Sequence, residues 1–194
     1  MANKISLLLL SLMLIVSTSF AETFQIDPAH TKIHFSVKHL VILTAHGYFT
    51  DFAGSIQANP KNAVLIAATA TIRTDSVDSQ IEKRDNYLRG QDFFDVKNYP
   101  EISFKSKKVT GSGNHITMIG DLTIKGITRE IILKGSFLGM THGSQGELRA
   151  RFTATGVITR DDFNLKQKKS TELMLGNEIQ IGLEVESVTQ IMNQ

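Results

Sequence analysis

The sequence predicts an all-β fold, an antiparallel β-barrel of about eight strands with one short helix and a long helical or loop insertion. Three observations predict it. Runs in which every second residue is apolar recur from Phe24 to Val185, separated by polar and glycine-rich turns, as half-buried strands require. Glycines stand inside otherwise regular runs at Gly47, Gly120, Gly135 and Gly156, where a sheet can coil sharply. Between Ser79 and Pro100 the alternation breaks, and charges and aromatics crowd together. Strands with one apolar face must pair as a sandwich or close into a barrel, and the glycines favour the barrel.

The first segment is read as a leader rather than as fold. Lys4 supplies a positive charge, Ile5 to Val16 is almost unbroken apolar sequence, and Ser19-Phe20-Ala21 offers small residues at the positions a signal peptidase reads. Cleavage after Ala21 leaves residues 22–194 as a single domain. The apolar run is short of the ~20 residues that span a bilayer. Of 194 residues, 21 are Lys or Arg and 19 Asp or Glu, a balance without the positive excess of a nucleic-acid partner. The chain has no cysteine, so disulfides play no part.

Phe24 and Ile26 open the strand pattern, and Asp27-Pro28 makes a turn. Lys32 to Leu40 alternates with Ile33, Phe35 and Val37 on one face; Gly47 to Gly54 continues with aromatics between glycines. In the run Ala63 to Arg73, parity places Val64, Ile66, Ala68, Ala70 and Ile72 together. Ser79-Gln80-Ile81-Glu82 is a capping-box signature and Gly90 a stop, which predicts a short helix with Ile81, Asp85 and Leu88 on one side. So short a helix gains its stability by docking. After Pro100 the apolar positions are Ile102 and Phe104; Ile116, Met118, Leu122 and Ile124; Ile131, Leu133 and Phe137; Leu148, Ala150, Phe152 and Ala154; and Ile179, Ile181, Leu183 and Val185. The count is eight or nine strands and one helix. The inward alanines either leave space for a small ligand, which about eight strands can enclose, or make room for a phenylalanine opposite; spacing leaves both open.

Five stretches, in order, resemble the YceI-like family of periplasmic polyisoprenoid-binding proteins. His30 to Leu40 is similar to its opening strand, with Thr31 where Ser is usual, and Gly47 to Gly54 follows its Gly-x-Phe-x-x-Phe-x-Gly pattern. Arg84-Asp85-Asn86-Tyr87-Leu88, with Tyr87 in place of the more usual His, runs on through Asp92-Phe93-Phe94-Asp95 to Phe104. Gly120 to Ile131 is similar to the Gly-x-Leu-Thr-Ile-x-Gly-Val-Thr signature. Arg160-Asp161-Asp162-Phe163 is similar to a later Arg-x-x-Phe element, with Asn164 for Gly, the non-glycine residue best suited to a left-handed conformation. The resemblance implies a lipocalin-like barrel enclosing a long apolar chain, a polyisoprenoid, isoprenoid quinone or similar lipid. It implies a carrier or store in the periplasm, exchanging its ligand by transient membrane contact. A lipid ligand, no cofactor and no metal are expected. Exposed β edges make a homodimer an expectation as well.

His30, His34, His39 and His46 cluster in sequence, but His34 and His39 fall on opposite faces of a strand and no cysteine or close carboxylate completes a metal site. There is no Gly-x-Ser-x-Gly, phosphate loop or dinucleotide fingerprint. The alternative to binding is a secreted enzyme acting on an isoprenoid lipid around Asp85 and His39, yet an Arg84–Asp85 pair at the foot of a helix reads first as a structural ion pair. The expected cavity residues are Phe35, Val37, Phe49, Val64, Ile66, Ala68, Ala70, Phe104, Leu122, Ile124, Phe152 and Ala154, with Phe93 and Phe94 closing the mouth. A polar head group is expected to meet Arg84, Arg89 or the loop Lys166-Gln167-Lys168-Lys169. Each buried CH₂ is worth ~0.8 kcal/mol against water, so ten enclosed carbons approach about 8 kcal/mol.

Overall fold

The computed structural model describes residues 21–39, 43–166 and 175–189. Of the expected leader all but Ala21 lies outside them, as do Gln167, Lys168 and Lys169. Among the described residues, eleven strands form one antiparallel sheet: β1 (Glu22–Ile26), β2 (Lys32–His39), β3 (Leu43–Phe49), β4 (Phe52–Asn59), β5 (Val64–Arg73), β6 (Val77–Asp78), β7 (Glu101–Ser112), β8 (His115–Ile124), β9 (Ile127–His142), β10 (Leu148–Thr159) and β11 (Leu175–Thr189), with one α-helix, α1 (Glu82–Arg89).

The sheet closes on itself. The order runs β1-β4-β5-β7-β8-β9-β10-β11, and β11 pairs back to β1, a ring of eight positions. Three positions are shared by two strands in succession. β2 resumes where β1 stops, past the turn Pro28–His30, and both pair with β11; β3 runs into β4 across Thr50 and Asp51; β6 follows β5 and pairs with β3. This is the barrel rather than the sandwich. The eleven segments come from long staves that must break or bend to follow a coiled barrel wall. Closure also takes away most of the open edges on which the expectation of a dimer rested.

In this up-and-down order the β2–β3, β6–β7, β8–β9 and β10–β11 connections share one end of the barrel, and α1 lies in the β6–β7 connection. The opposite half is filled with side chains: Phe24 and Ile56 are fully buried, and Met118, Phe137 and Phe152 nearly so. Gly135 is what lets β9 lie against β10 there, since a Cβ would stand 1.8 Å from the Thr153 carbonyl oxygen. Parity fails in β5. Gln57 faces Ala67 but Ala58 faces Leu65, so Ile66 is an extra residue in a bulge. Leu65 and Ala68 are buried in the core, and Val64 and Ile66, expected inward, are left half-buried and off that face.

A charged cluster holds the turn between β1 and β2 to the wall. His30 Nδ1 lies 2.8 Å from Asp27 Oδ2, Arg149 pairs with Glu147 and Glu186, and Arg151 Nε donates to Glu186 Oε2 at 2.6 Å. The Asp27 carboxyl is lowered chiefly by its hydrogen bond with His30, and Glu147 chiefly by Arg149. Burial pushes Glu186 up, but hydrogen bonds from Arg149 and Arg151 outweigh it and hold the group below its ordinary value.

Two outcomes are expected. A carboxylate whose folded pKa lies below its unfolded value stabilises the fold above the unfolded pKa and loses that contribution as pH falls through the folded one. Thermal melts should therefore shift downward from about pH 5 to about pH 3. Glu186→Gln should lower the melting midpoint near neutrality and flatten that acid slope, and an unchanged slope would uncouple the cluster from folding. Gly135→Ala, which must displace backbone, should cost about 2 kcal/mol or more in chemical denaturation.

Candidate functional site

The half of the barrel next to α1 is hollow. A cavity of about 560 Å³ is lined by residues from all eight ring positions and from α1, within the size range of small-molecule sites. Ile33, Phe35 and Val37 come from β2, Ala70 and Ile72 from β5, Phe104 from β7, Leu122 and Ile124 from β8, and Ile179, Ile181 and Leu183 from β11. The Phe35 and Phe104 rings lie over glycines of the neighbouring strands. A Cβ at Gly47 would meet Phe35 Cζ at 2.4 Å, and one at Gly120 would meet Phe104 Cζ at 2.6 Å. These glycines seat aromatic rings against the wall and keep them out of the centre.

The insertion from Ser79 to Pro100 covers this end. The helix begins later than the capping signature implies: its N-cap is Ile81, without a side-chain cap, because Gln80 takes a left-handed conformation (φ 63°) that no helix can include. Ser79 is instead the point on which the helix is clamped. Arg84 Nε donates to its Oγ and Arg84 Nη2 to its carbonyl, each at 2.7 Å, while the Ser79 N–H donates to buried Asp85 Oδ1 at 2.8 Å and its hydroxyl donates to the same oxygen. Arg84 and Asp85 thus act through a shared serine rather than as a direct ion pair. Arg89 ties the other end of α1 to the carbonyls of Asp75 and Val77, at 2.8 and 2.7 Å.

Phe93 and Phe94 follow, both 5% exposed and packed edge to face at 4.9 Å. Tyr87 stacks toward Phe93, Phe94 meets Phe49, and Phe49 meets Phe35. This aromatic chain joins the insertion to the barrel wall.

Of the expected cavity residues, Phe35, Val37, Phe49, Ala70, Phe93, Phe94, Phe104, Leu122 and Ile124 line it. Ala68, Phe152 and Ala154 do not: all three are buried in the filled half, where small residues make room for large ones. Val64 and Ile66 lie beyond the bulge. Arg84 lines the cavity; Arg89 does not, since its donors hold backbone carbonyls. The side chain of His39 lies outside the described residues, and the carboxyl of Asp85 is bound to Ser79.

Sequence parity had already placed Ile33, Ile72, Ile131, Leu133, Ile179, Ile181 and Leu183 on inward faces, but nothing in it told lining from packing. Arg160 and Leu165, both nearly buried, line the cavity from the β10–β11 connection, where no periodicity signals them. Asn164 there is left-handed (φ 54°, ψ 35°), as its place in the sequence implies.

One trio of potential metal ligands stands apart from the cavity. Asp27, His30 and Glu186 bring their ligand atoms within 4.8 Å of one another. Arg149 and Arg151 occupy both Glu186 oxygens, and two guanidinium groups at that distance oppose a divalent cation.

The comparisons agree with this architecture. The family described as YceI-like domain matches residues 24–187. A UPF0312 protein of Yersinia pestis is 34% identical over 193 residues, covering 97% of this chain and 98% of its own. The crystal structure of the Campylobacter jejuni YCEI protein superposes with a TM-score of 0.70 at 31% identity, covering 79% of this chain and 90% of that one. A domain of Saccharophagus degradans, described as polyisoprenoid binding, shares the fold at 12% identity with a TM-score of 0.61, over 86% and 98% of the two chains. A closed eight-position barrel, a helical insertion capping one end and a family match spanning nearly every described strand lead to one conclusion: the chain belongs to the YceI-like family.

Proposed function

We propose that the protein binds one long apolar lipid, of the polyisoprenoid or isoprenoid-quinone kind, in the cavity beside α1, and carries or stores it in the periplasm without chemical change. The observation that carries this reading is the cavity itself, about 560 Å³ with walls built mostly from Ile, Leu, Val and Phe. If a methylene takes the ~30 Å³ share of a water, there is room for roughly eighteen such groups. Transferring a tail of that length from water is favourable by more than ~10 kcal/mol before ordering costs. The polyisoprenoid binding ascribed to the S. degradans domain, which shares the fold, supports this ligand class.

From a bilayer the same transfer gains little, because the tail leaves one apolar medium for another. Such a protein suits exchange at a membrane surface. Leu43 at the start of β3 and Ile81 in the β6–α1 connection, both more than half exposed, stand at the cavity end where brief contact would occur. The leader-like sequence up to Ala21, with its apolar run and small residues before the expected cleavage point, supports a periplasmic site of action.

Mass spectrometry of an organic extract of the purified protein should find a stoichiometric long-chain lipid, and delipidated protein should take up such a lipid from vesicles. An empty extract together with absent uptake would sink the reading. Ala70→Phe, on the cavity wall, should lower uptake about tenfold while sparing the fold. Ala68→Phe, in the packed half, should instead cost about 1–3 kcal/mol of stability. Equal effects on uptake would place the ligand elsewhere.

A further inference from the structure

Among the described residues, the charged ones that line the cavity are all of one sign, Lys83, Arg84 and Arg160, with no carboxylate. Lys83 is exposed to water, and Arg84 gives two of its donors to Ser79. Arg160 stands differently. It is 7% exposed, its Nη1 donates to the neutral carbonyl of Leu165 at a long 3.3 Å, and its shielded Nε meets no acceptor. No carboxylate pairs with it among the described residues, and the adjacent Asp161 and Asp162 are both exposed. A buried charge without a counter-ion is costly, and a protein gains nothing for stability by keeping one.

A second unpaired polar atom belongs to the same cavity. The buried hydroxyl of Tyr87 has no hydrogen-bond partner, and Tyr87 lines the space from α1. Tyr87 lies in the connection after the third ring position and Arg160 in that after the seventh. Unspent donors therefore reach the cavity from two separate connections at the same end of the barrel.

We propose that Arg160 is the counter-ion for an anionic head group, with the Tyr87 hydroxyl as a second donor, so that the preferred ligand is an amphiphile with a long apolar tail ending in a carboxylate or phosphate. A guanidinium presents its donors as a planar fork that matches two oxygens of either group, and such charge-assisted bonds are strongest where water is excluded. This inference rests on the tail-binding reading above and adds the chemistry of the head.

The test titrates delipidated full-length protein by calorimetry with two matched pairs, geranylgeraniol against geranylgeranyl phosphate and hexadecanol against palmitate. The wild type should prefer an anion to its alcohol by about tenfold or more; a preference in one pair alone assigns the head as phosphate or carboxylate. Arg160→Met should lose that preference while still binding the alcohol, Arg160→Lys should keep part of it, and Lys105→Met, exposed on β7 and outside the lining, should keep it all. Equal binding of alcohol and anion by the wild type overturns the inference while leaving the tail-binding reading intact, and that comparison needs no variant to fold. A preference that survives Arg160→Met and disappears in Lys83→Met overturns it too. Binding of no member of either pair overturns both readings.

Discussion

β11 is the strand on which the whole barrel depends. One of its edges pairs with β10 from Arg149 to Thr159, and the other pairs first with β2 and then with β1. The hand-over falls at Glu186, where the turn Pro28–His30 leaves the ladder. The Asp27 N–H and the Thr31 hydroxyl both donate to the Glu186 carbonyl, and the Glu186 N–H donates back to the Thr31 hydroxyl oxygen. The Glu186 side chain leads the other way, to Arg149 and Arg151 on β10. One residue therefore stitches three strands by backbone and side chain together. Without that seam the inner faces would belong to an open sheet, and there would be no enclosed space to line.

Within the closed wall the two halves differ because aromatic rings are disposed differently. In the filled half Phe24, Phe137 and Phe152 are buried in the core, and the small residues Ala58, Ala68, Ala150 and Ala154 are buried with them. In the hollow half Phe35 and Phe104 rest on Gly47 and Gly120, and the remaining lining is mostly aliphatic. An eight-stranded barrel is at the limit where side chains can just fill the interior. Seating two large rings against the wall is enough to leave a cavity where the same strands would otherwise pack solid.

The insertion makes that cavity chemically distinct from a plain hydrophobic hole. Its charges serve mainly as fasteners: Arg84 and Asp85 meet on Ser79, and Arg89 grips the segment before it. With those groups occupied by structure, the buried unpaired polar atoms among the described residues of the lining are those of Tyr87 and Arg160, which arrive from separate connections. The fold thus keeps its clamp and its unpaired donors in different residues, as a site must if it is to remain rigid while admitting a ligand.

Much of this was legible in the chain. Period-two alternation marked the strands and their inward faces correctly along β2, β8 and β11, because a pleated strand must turn every second side chain to the same side. The family resemblance rested on local patterns that proved to be structural necessities, such as the glycines under Phe35 and Phe104 and the left-handed Asn164. Other features were decided only by tertiary structure. The bulge at Ile66 reversed parity for Val64 and Ile66, and a bulge depends on the partner strand. Gln80 adopted a left-handed turn, so Ser79 became an anchor for Arg84 and Asp85 instead of a cap. Whether an inward alanine leaves space or fills it depends on what lies across the barrel, which separated Ala70 from Ala68 and Ala154. Arg160 carries no periodic signal at all. The sequence by itself determined which residues face inward wherever the ladder is regular, since that follows from local geometry; only the closed barrel decided where the ladder bulges, which inward residues meet one another and which face a void, since those are properties of residues far apart in the chain.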